Sequence, residues 1–92
     1  MIVRISGEGQ FRLADSDADR FGELENAVAA AVEGGREQDF PGAFATLLDY
    51  VRSAGEPIGD DELATSDAIL PPSDITFQEA GREFTGEGLI PD

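Results

Sequence analysis

The stretch Asp60-Asp-Glu-Leu-Ala-Thr-Ser-Asp-Ala-Ile-Leu-Pro-Pro-Ser-Asp74 separates two folding units of this 92-residue chain. It runs from acidic to apolar and then becomes rigid, because Pro71 and Pro72 lack a backbone N–H and have a fixed φ angle. A residue that precedes proline is pushed toward extended geometry. The sequence therefore predicts a short strand or extended segment over Ala68–Leu70.

The amino-terminal residues upstream of this stretch have the pattern of a β-hairpin. Ile2–Ser6 and Gln10–Ala14 are β-branched or alternating segments on either side of Gly7-Glu8-Gly9. This pattern predicts a three-residue loop with Gly9 in the left-handed conformation. The loop in turn predicts the register, with Ile5 opposite Phe11 on the buried face, because a two-residue loop would break the alternation of apolar and polar positions. In the same register Val3 lies opposite Leu13, and Arg4 lies opposite Arg12 on the outer face.

Two amphipathic helices are predicted between the hairpin and the acidic stretch. Apolar residues at spacings of three and four predict the first helix over about Asp17–Glu33, ended by Gly34-Gly35. A second helix is predicted over about Glu37–Ser53, where Pro41 is tolerated because it falls in the first turn. A turn of two or three residues makes the two helices an antiparallel hairpin whose apolar stripes cover the strands.

A short third helix is predicted after the proline pair. Thr76-Phe-Gln-Glu79 is a capping box, and the helix should extend to about Thr85, although Gly81 weakens it by about 1 kcal/mol. The apolar ending Leu89-Ile-Pro91 is expected to dock on the core. The fold class predicted is therefore α+β, a small single domain over residues 1–92. Its amino-terminal antiparallel β-hairpin, with a third short strand near 68–70, packs on an antiparallel helical hairpin, and a short C-terminal helix completes it.

The charge composition indicates a salt-rich environment. The chain has 20 acidic residues, 6 basic residues that are all arginine, and a net charge of −14. Self-repulsion at this charge density opposes the compact state unless salt screens it. We expect a halophilic archaeal source. The alternative is an ordinary acidic domain from an organism whose G- and C-rich codons favour arginine over lysine.

The composition argues against several function classes. Without His, Cys or Lys, the chain has few candidates for an acid, base or nucleophile, so we expect no enzymatic site, no cofactor and no metal. An acidic surface repels phosphates, which disfavours nucleic acid. No signal-peptide pattern and no apolar run near the ~18 residues of a membrane span is present. We therefore expect a cytoplasmic protein that does not insert directly into a membrane.

Two acidic motifs need separate consideration. Asp15-x-Asp-x-Asp19 imitates the start of a calcium loop, but the positions of the turn glycine and the bidentate glutamate hold Arg20 and Asn26. A solvated helix start is the better interpretation. Asp60-Asp-Glu62 is interpreted in the same way, as a solvated acidic loop.

The most informative polar residues are Arg4 and Arg12, which lie beside Ile2 on the outer face of the predicted hairpin. In so acidic a chain, two neighbouring guanidinium groups should hold carboxylates. These carboxylates belong either to the chain itself, within the Asp60–Asp67 loop, or to a partner. The residues alone leave both alternatives open.

Three specific strings carry a resemblance to a known family. Met1-Ile-Val-Arg-Ile-Ser-Gly-Glu-Gly-Gln-Phe-Arg-Leu13, Ser66-Asp-x-Ile-Leu-Pro-Pro72 and Glu87-Gly-Leu-Ile-Pro91 resemble the PspA-associated protein family. The chain departs from the family pattern in Gln78–Phe84, where a third helix rich in Leu and Val is expected. The family is linked with phage shock protein A (PspA), a coiled-coil, membrane-remodelling protein of envelope stress responses.

The resemblance implies a non-enzymatic adaptor or regulator whose partner is a PspA-like coiled-coil protein. If the two arginines hold the carboxylates of this partner, the partner-binding residues are Ile2, Arg4 and Arg12. Through PspA the protein could lie at the membrane periphery, and a homo-oligomer stays open. The alternative function is a small regulatory domain that senses an ion or a small molecule through its acidic loop. An adjacent gene encoding a long charged helix would favour the adaptor.

Overall fold

The computed structural model describes residues 1–59 and 65–83 as a mixed sheet with helices on one face. The strands are β1 (Ile2–Ile5), β2 (Gly9–Arg12), β3 (Glu56–Ile58) and β4 (Ala68–Leu70), and the helices are α1 (Ala18–Glu33), α2 (Phe40–Ala54) and α3 (Phe77–Glu83). A 3-10 turn over Asp15–Asp17 precedes α1. The predicted α+β class, the helical hairpin and the strand at 68–70 are confirmed.

The strand order of the sheet is β3-β2-β1-β4. β2 pairs antiparallel with both β1 and β3, whereas β4 pairs parallel with β1. The hairpin therefore lies in the middle of the sheet. β3 was not predicted, because Gly55 and Pro57 were interpreted only as the end of the second helix. Pro57 is compatible with a strand here because β3 is an edge, where a missing N–H costs no bond in the sheet.

The register of the hairpin differs from the prediction by two residues. Ile5 pairs with Gly9 and Val3 with Phe11, so the predicted pairs of Ile5 with Phe11 and of Val3 with Leu13 are wrong. The loop has three residues, as predicted, but it begins one residue earlier than predicted, at Ser6.

The cause of this shift is the conformation of the turn. Gly7 has a φ of 85°, and the Glu8 N–H donates to the Ile5 carbonyl at 2.9 Å, which closes the reversal immediately after β1. Gly9 also has a positive φ, as predicted. Because the shift is an even number of residues, every side chain keeps its predicted face. Arg4, however, lies opposite Gln10, and the predicted opposition of Arg4 and Arg12 is wrong.

The two long helices form the predicted hairpin with a longer connection. α1 begins within one residue of its predicted start and ends at Glu33. α2 begins at Phe40 instead of Glu37, with Pro41 in its first turn. The N–H groups of Asp39 and Phe40 both donate to the Arg36 carbonyl, at 3.0 and 3.2 Å. These bonds form a separate turn before the helix, so the connection exceeds the predicted two or three residues.

One apolar core lies between the helices and the inner face of the sheet. The junction of α2 and β3 is tight, since a Cβ at Gly55 would stand 2.6 Å from the Val51 carbonyl oxygen and 2.9 Å from the Phe11 Cβ. Glycine at this position lets β3 begin directly after the helix. The buried apolar residues are Val3, Ile5, Leu13, Phe21, Leu24, Val28, Ala31, Val32, Phe40, Phe44, Leu47, Leu48, Val51, Ala68, Leu70 and Ala80.

The start of α3 confirms the capping box. The Thr76 N–H donates to Glu79 Oε1 at 3.0 Å, and the Glu79 N–H donates to Thr76 Oγ1 at 3.1 Å. Ala80 is fully buried, and α3 contacts α1. The predicted extension to Thr85 and the predicted docking of Leu89-Ile-Pro91 lie outside the described residues.

Candidate partner-binding surface

The outer face of the sheet, which points away from the helices, presents its side chains in two cross-strand rows. The register places Glu56, Arg12, Ile2 and Asp67 in the first row and Ile58, Gln10, Arg4 and Ile69 in the second row. Val3, Ile5 and Leu70 alternate with them and point inward, because successive residues of a strand face opposite sides.

The first row contains its own carboxylates. Arg12 lies directly opposite Glu56 in the pairing of β2 and β3. At the other end, the Asp67 N–H donates to the Ile2 carbonyl at 2.7 Å, and Asp67 Oδ2 accepts from the Ile2 N–H at 2.7 Å. Arg12 is also engaged within the chain. The first row therefore carries two carboxylates beside its one arginine.

The second row contains no carboxylate. Arg4 is exposed, and its side chain forms no hydrogen bond or ion pair with the residues that the structure describes. Gln10 Nε2 donates to Ser66 Oγ at 2.9 Å, which holds the segment before β4 against the outer face. Ile69, opposite Arg4 on β4, is 41% exposed and is the large apolar side chain most open to solvent in the described part of the chain. The Arg4–Ile69 pair is thus a cation beside an exposed aliphatic group.

Three arginines outside the sheet contrast with Arg4. Arg52 on α2 binds Glu8 of the hairpin turn through two bonds of 2.5 and 2.8 Å and also binds Asp49 at 3.0 Å. The hydrogen bonds from Arg52 lower the pKa of Glu8, and those to Glu8 raise the pKa of Arg52. Arg20 on α1 lies 3.5 Å from the Glu23 carboxylate, and Arg36, in the turn before α2, lies 3.6 Å from the Asp39 carboxylate.

A cleft of about 340 Å³ adjoins Ile69 at the carboxyl end of β4. Pro71, Pro72 and Ile75 form its apolar part, and Asp74 and Glu79 form much of its polar part. Pro71 is buried, whereas Pro72 is exposed, so Pro72 extends the exposed apolar surface beyond the strand. A second cleft, of about 320 Å³, lies beside the stacked rings of Phe40 and Phe44, which are themselves buried in the core.

The acidic motifs form no metal centre in the described part of the chain, where no three His, Cys, Asp or Glu side chains converge. Asp17 of the calcium-like motif accepts a hydrogen bond from the Tyr50 hydroxyl at 3.0 Å, which joins the start of α1 to α2. Burial and this bond raise the pKa of Tyr50. Asp60-Asp-Glu62, on which the alternative sensing function depends, lies outside the described residues.

Glu25 on α1 is a half-buried carboxylate that the sequence analysis missed. Its Oε2 atom is buried and has no hydrogen-bond partner within residues 1–59 and 65–83, and burial raises the pKa of this carboxyl. The signal was present, because Glu25 falls four residues after Phe21 and three before Val28, within the apolar stripe of the helix.

The three predicted partner-binding residues, Ile2, Arg4 and Arg12, lie on the outer face as predicted. They stand on the two central strands of the sheet, where Arg4 and Arg12 are diagonal neighbours. Sequence reasoning missed the two isoleucines at the ends of the second row, Ile58 and Ile69. Ile58 was missed because β3 was not predicted. Ile69 was missed because the strand that pairs with β4 could not be assigned from sequence.

Comparison with known proteins identifies the family. A family model described as PspA-Associated protein matches residues 1–92. No curated protein and no solved structure matches the chain. None of the helices within residues 1–59 and 65–83 is both long and apolar enough to cross a bilayer.

Proposed function

Because the chain belongs to the PspA-associated protein family, we propose that it is a non-enzymatic adaptor or regulator that binds PspA. The family name itself indicates an association with PspA. The finer proposal is that the partner is the coiled-coil phage shock protein A, that the complex acts in an envelope stress response, and that the protein is cytoplasmic and reaches the membrane through this partner.

The observation that carries the proposal is the state of Arg4. Arg4 is exposed and stands on a central strand beside Ile2 and Ile69, in a chain of net charge −14. Its side chain has no partner among the residues that the structure describes. A guanidinium group binds a carboxylate through two parallel hydrogen bonds, and this short-range pairing survives salt better than diffuse attraction does. A partner helix that carries glutamates fits such a face. The proposed binding residues are Ile2, Arg4 and Arg12.

The experiment measures stability and PspA binding on one double variant, Arg4→Gln with Arg12→Gln. If the arginines meet PspA, binding should weaken at least tenfold, about 1.4 kcal/mol, while the melting temperature changes little. If they hold carboxylates of the Asp60–Asp67 loop, the double change should lower stability by about 1–2 kcal/mol. Intact binding with lost stability would reject this face as the interface. The double variant Arg20→Gln with Arg36→Gln, which removes two positive charges outside the sheet, is the control for the change in net charge.

A further inference from the structure

We infer that the PspA contact is centred on the Arg4–Ile69 pair, and that its occupant is an amphipathic helix presenting a carboxylate and an aliphatic side chain three or four residues apart. The inference rests on the proposed function for the identity of the partner. It goes further in naming the part of the sheet, a residue on β4 that the sequence did not suggest, and the pattern required of the partner.

The charge of the two rows selects Arg4 over Arg12. Arg12 shares its row with Glu56 and Asp67 and is engaged within the chain, so a partner's carboxylate would have to compete for it. Arg4 shares its row with Gln10, Ile58 and Ile69, none of which is charged. A partner's carboxylate therefore meets less competition from the chain's own carboxylates at Arg4 than at Arg12.

The spacing of the pair fits one turn of a helix. Arg4 and Ile69 are opposite each other on adjacent parallel strands, which lie about 4.8 Å apart. Side chains three or four residues apart on a helix surface have Cβ atoms about 5–6 Å apart. A glutamate placed over Arg4 thus brings an aliphatic residue one turn away over Ile69. An aliphatic residue two positions away on the same helix would point in another direction.

The surroundings of Ile69 supply the apolar half of the contact. Ile69 stands at the cleft whose accessible apolar lining includes Pro72 and Ile75, so an aliphatic side chain over Ile69 would touch apolar atoms of Ile69 and of that side of the cleft. Repulsion between the acidic chain and an acidic helix is screened beyond about 8 Å at physiological ionic strength. The short-range pair at Arg4 therefore determines where the helix docks.

The test compares single variants in titrations of the full-length chain with purified PspA from the same organism. Arg4→Gln should weaken binding about tenfold and Ile69→Ser about fivefold. Arg12→Gln, at the second proposed binding arginine, should weaken binding less than Arg4→Gln does. Ile58→Ser, on the same face, should weaken it less than threefold, and Arg20→Gln should leave it unchanged. The melting temperature of each variant is measured alongside, so that a loss of binding through unfolding is recognised.

The outcomes separate the two claims. Tight binding by the unaltered chain, with Arg4→Gln and Ile69→Ser both harmless, overturns the inference and leaves the proposed function standing. The same holds if Arg12→Gln and Ile58→Ser have the larger effects. No binding by the unaltered chain overturns the proposed function itself. A charge exchange adds a positive test: Arg4→Glu should abolish binding, and a glutamate-to-arginine change in the PspA helix should restore it.

Discussion

The two faces of the β-sheet meet very different surroundings, although they share the same short strands. On β1, Val3 and Ile5 are completely buried under the helices, whereas Arg4 between them is exposed. On β4, Leu70 is buried and Ile69 is 41% exposed. Inward residues therefore determine stability and outward residues are available for recognition. Changes on one face should affect one property and leave the other nearly intact.

Salt should have the largest effect, because it screens the negative charge whose self-repulsion opposes packing of the inner face against the helices. With a net charge of −14, helix content and melting temperature should rise as potassium chloride increases from about 0.05 to about 2 M, which shortens the screening length from ~13 to ~2 Å. Circular dichroism measures both quantities. A melting curve that is the same at both concentrations would show that inner-face packing alone suffices.

The next effect compares two isoleucines on opposite faces. Ile5→Ala removes a fully buried side chain and should lower the free energy of unfolding by about 2–5 kcal/mol. Ile69→Ala is the matched control on the outer face and should change it by less than about 0.5 kcal/mol. Urea unfolding at fixed salt measures both. Similar losses at the two positions would mean that the outer face is also packed.

A smaller effect compares two arginines. Arg52→Gln should lower stability by about 0.5–1 kcal/mol, since its bonds to Glu8 join α2 to the hairpin turn but the two side chains remain 37% and 30% exposed. Arg4→Gln is the matched change and should have almost no effect on stability.

The Glu8–Arg52 pair also predicts a pH dependence. The folded-state pKa of Glu8 is lowered, so its contribution is present above the unfolded value near 4.5 and is lost as pH falls through the folded value. The stability difference between the unaltered chain and Arg52→Gln should therefore shrink in acid. A difference that does not change between neutral and acidic pH would contradict the assignment.

The smallest effect is a gain at Glu25. Its folded-state pKa is raised by burial, so the charged form opposes folding at neutral pH, and the folded state gains stability as pH falls through that value. Glu25→Gln should raise the free energy of unfolding at pH 7 by about 0.5 kcal/mol, with the gain fading in acid. Glu23→Gln, an exposed neighbour on α1, is the control. A loss of stability in Glu25→Gln would indicate that the carboxylate has a favourable partner.

Features that depend on neighbouring residues were predicted well. The spacing of Phe21, Leu24 and Val28 predicted α1, and the Thr76–Glu79 capping box predicted the start of α3. The proline pair predicted β4. Each of these signals acts within a few residues, where helix hydrogen bonds, caps and proline sterics operate.

Features that depend on distant residues were not predicted from the sequence. β3 has three residues and contains Pro57, so it becomes a strand only because β2 offers its edge beside Gly55. The position of the hairpin turn depended on which glycine closed it: the sequence pattern predicted Gly9, whereas the turn closes at Gly7, immediately after β1.

By itself, the sequence determined the class of the fold, which residues face the core, and the excess of negative charge, because side-chain periodicity and composition are properties of the chain alone. Only the tertiary structure decided that β4 lies parallel to β1 and that Arg4 stands beside the exposed Ile69, 65 residues further along the chain. The physical reason is that strand pairing depends on hydrogen bonds between distant segments, and local sequence does not specify which edges meet.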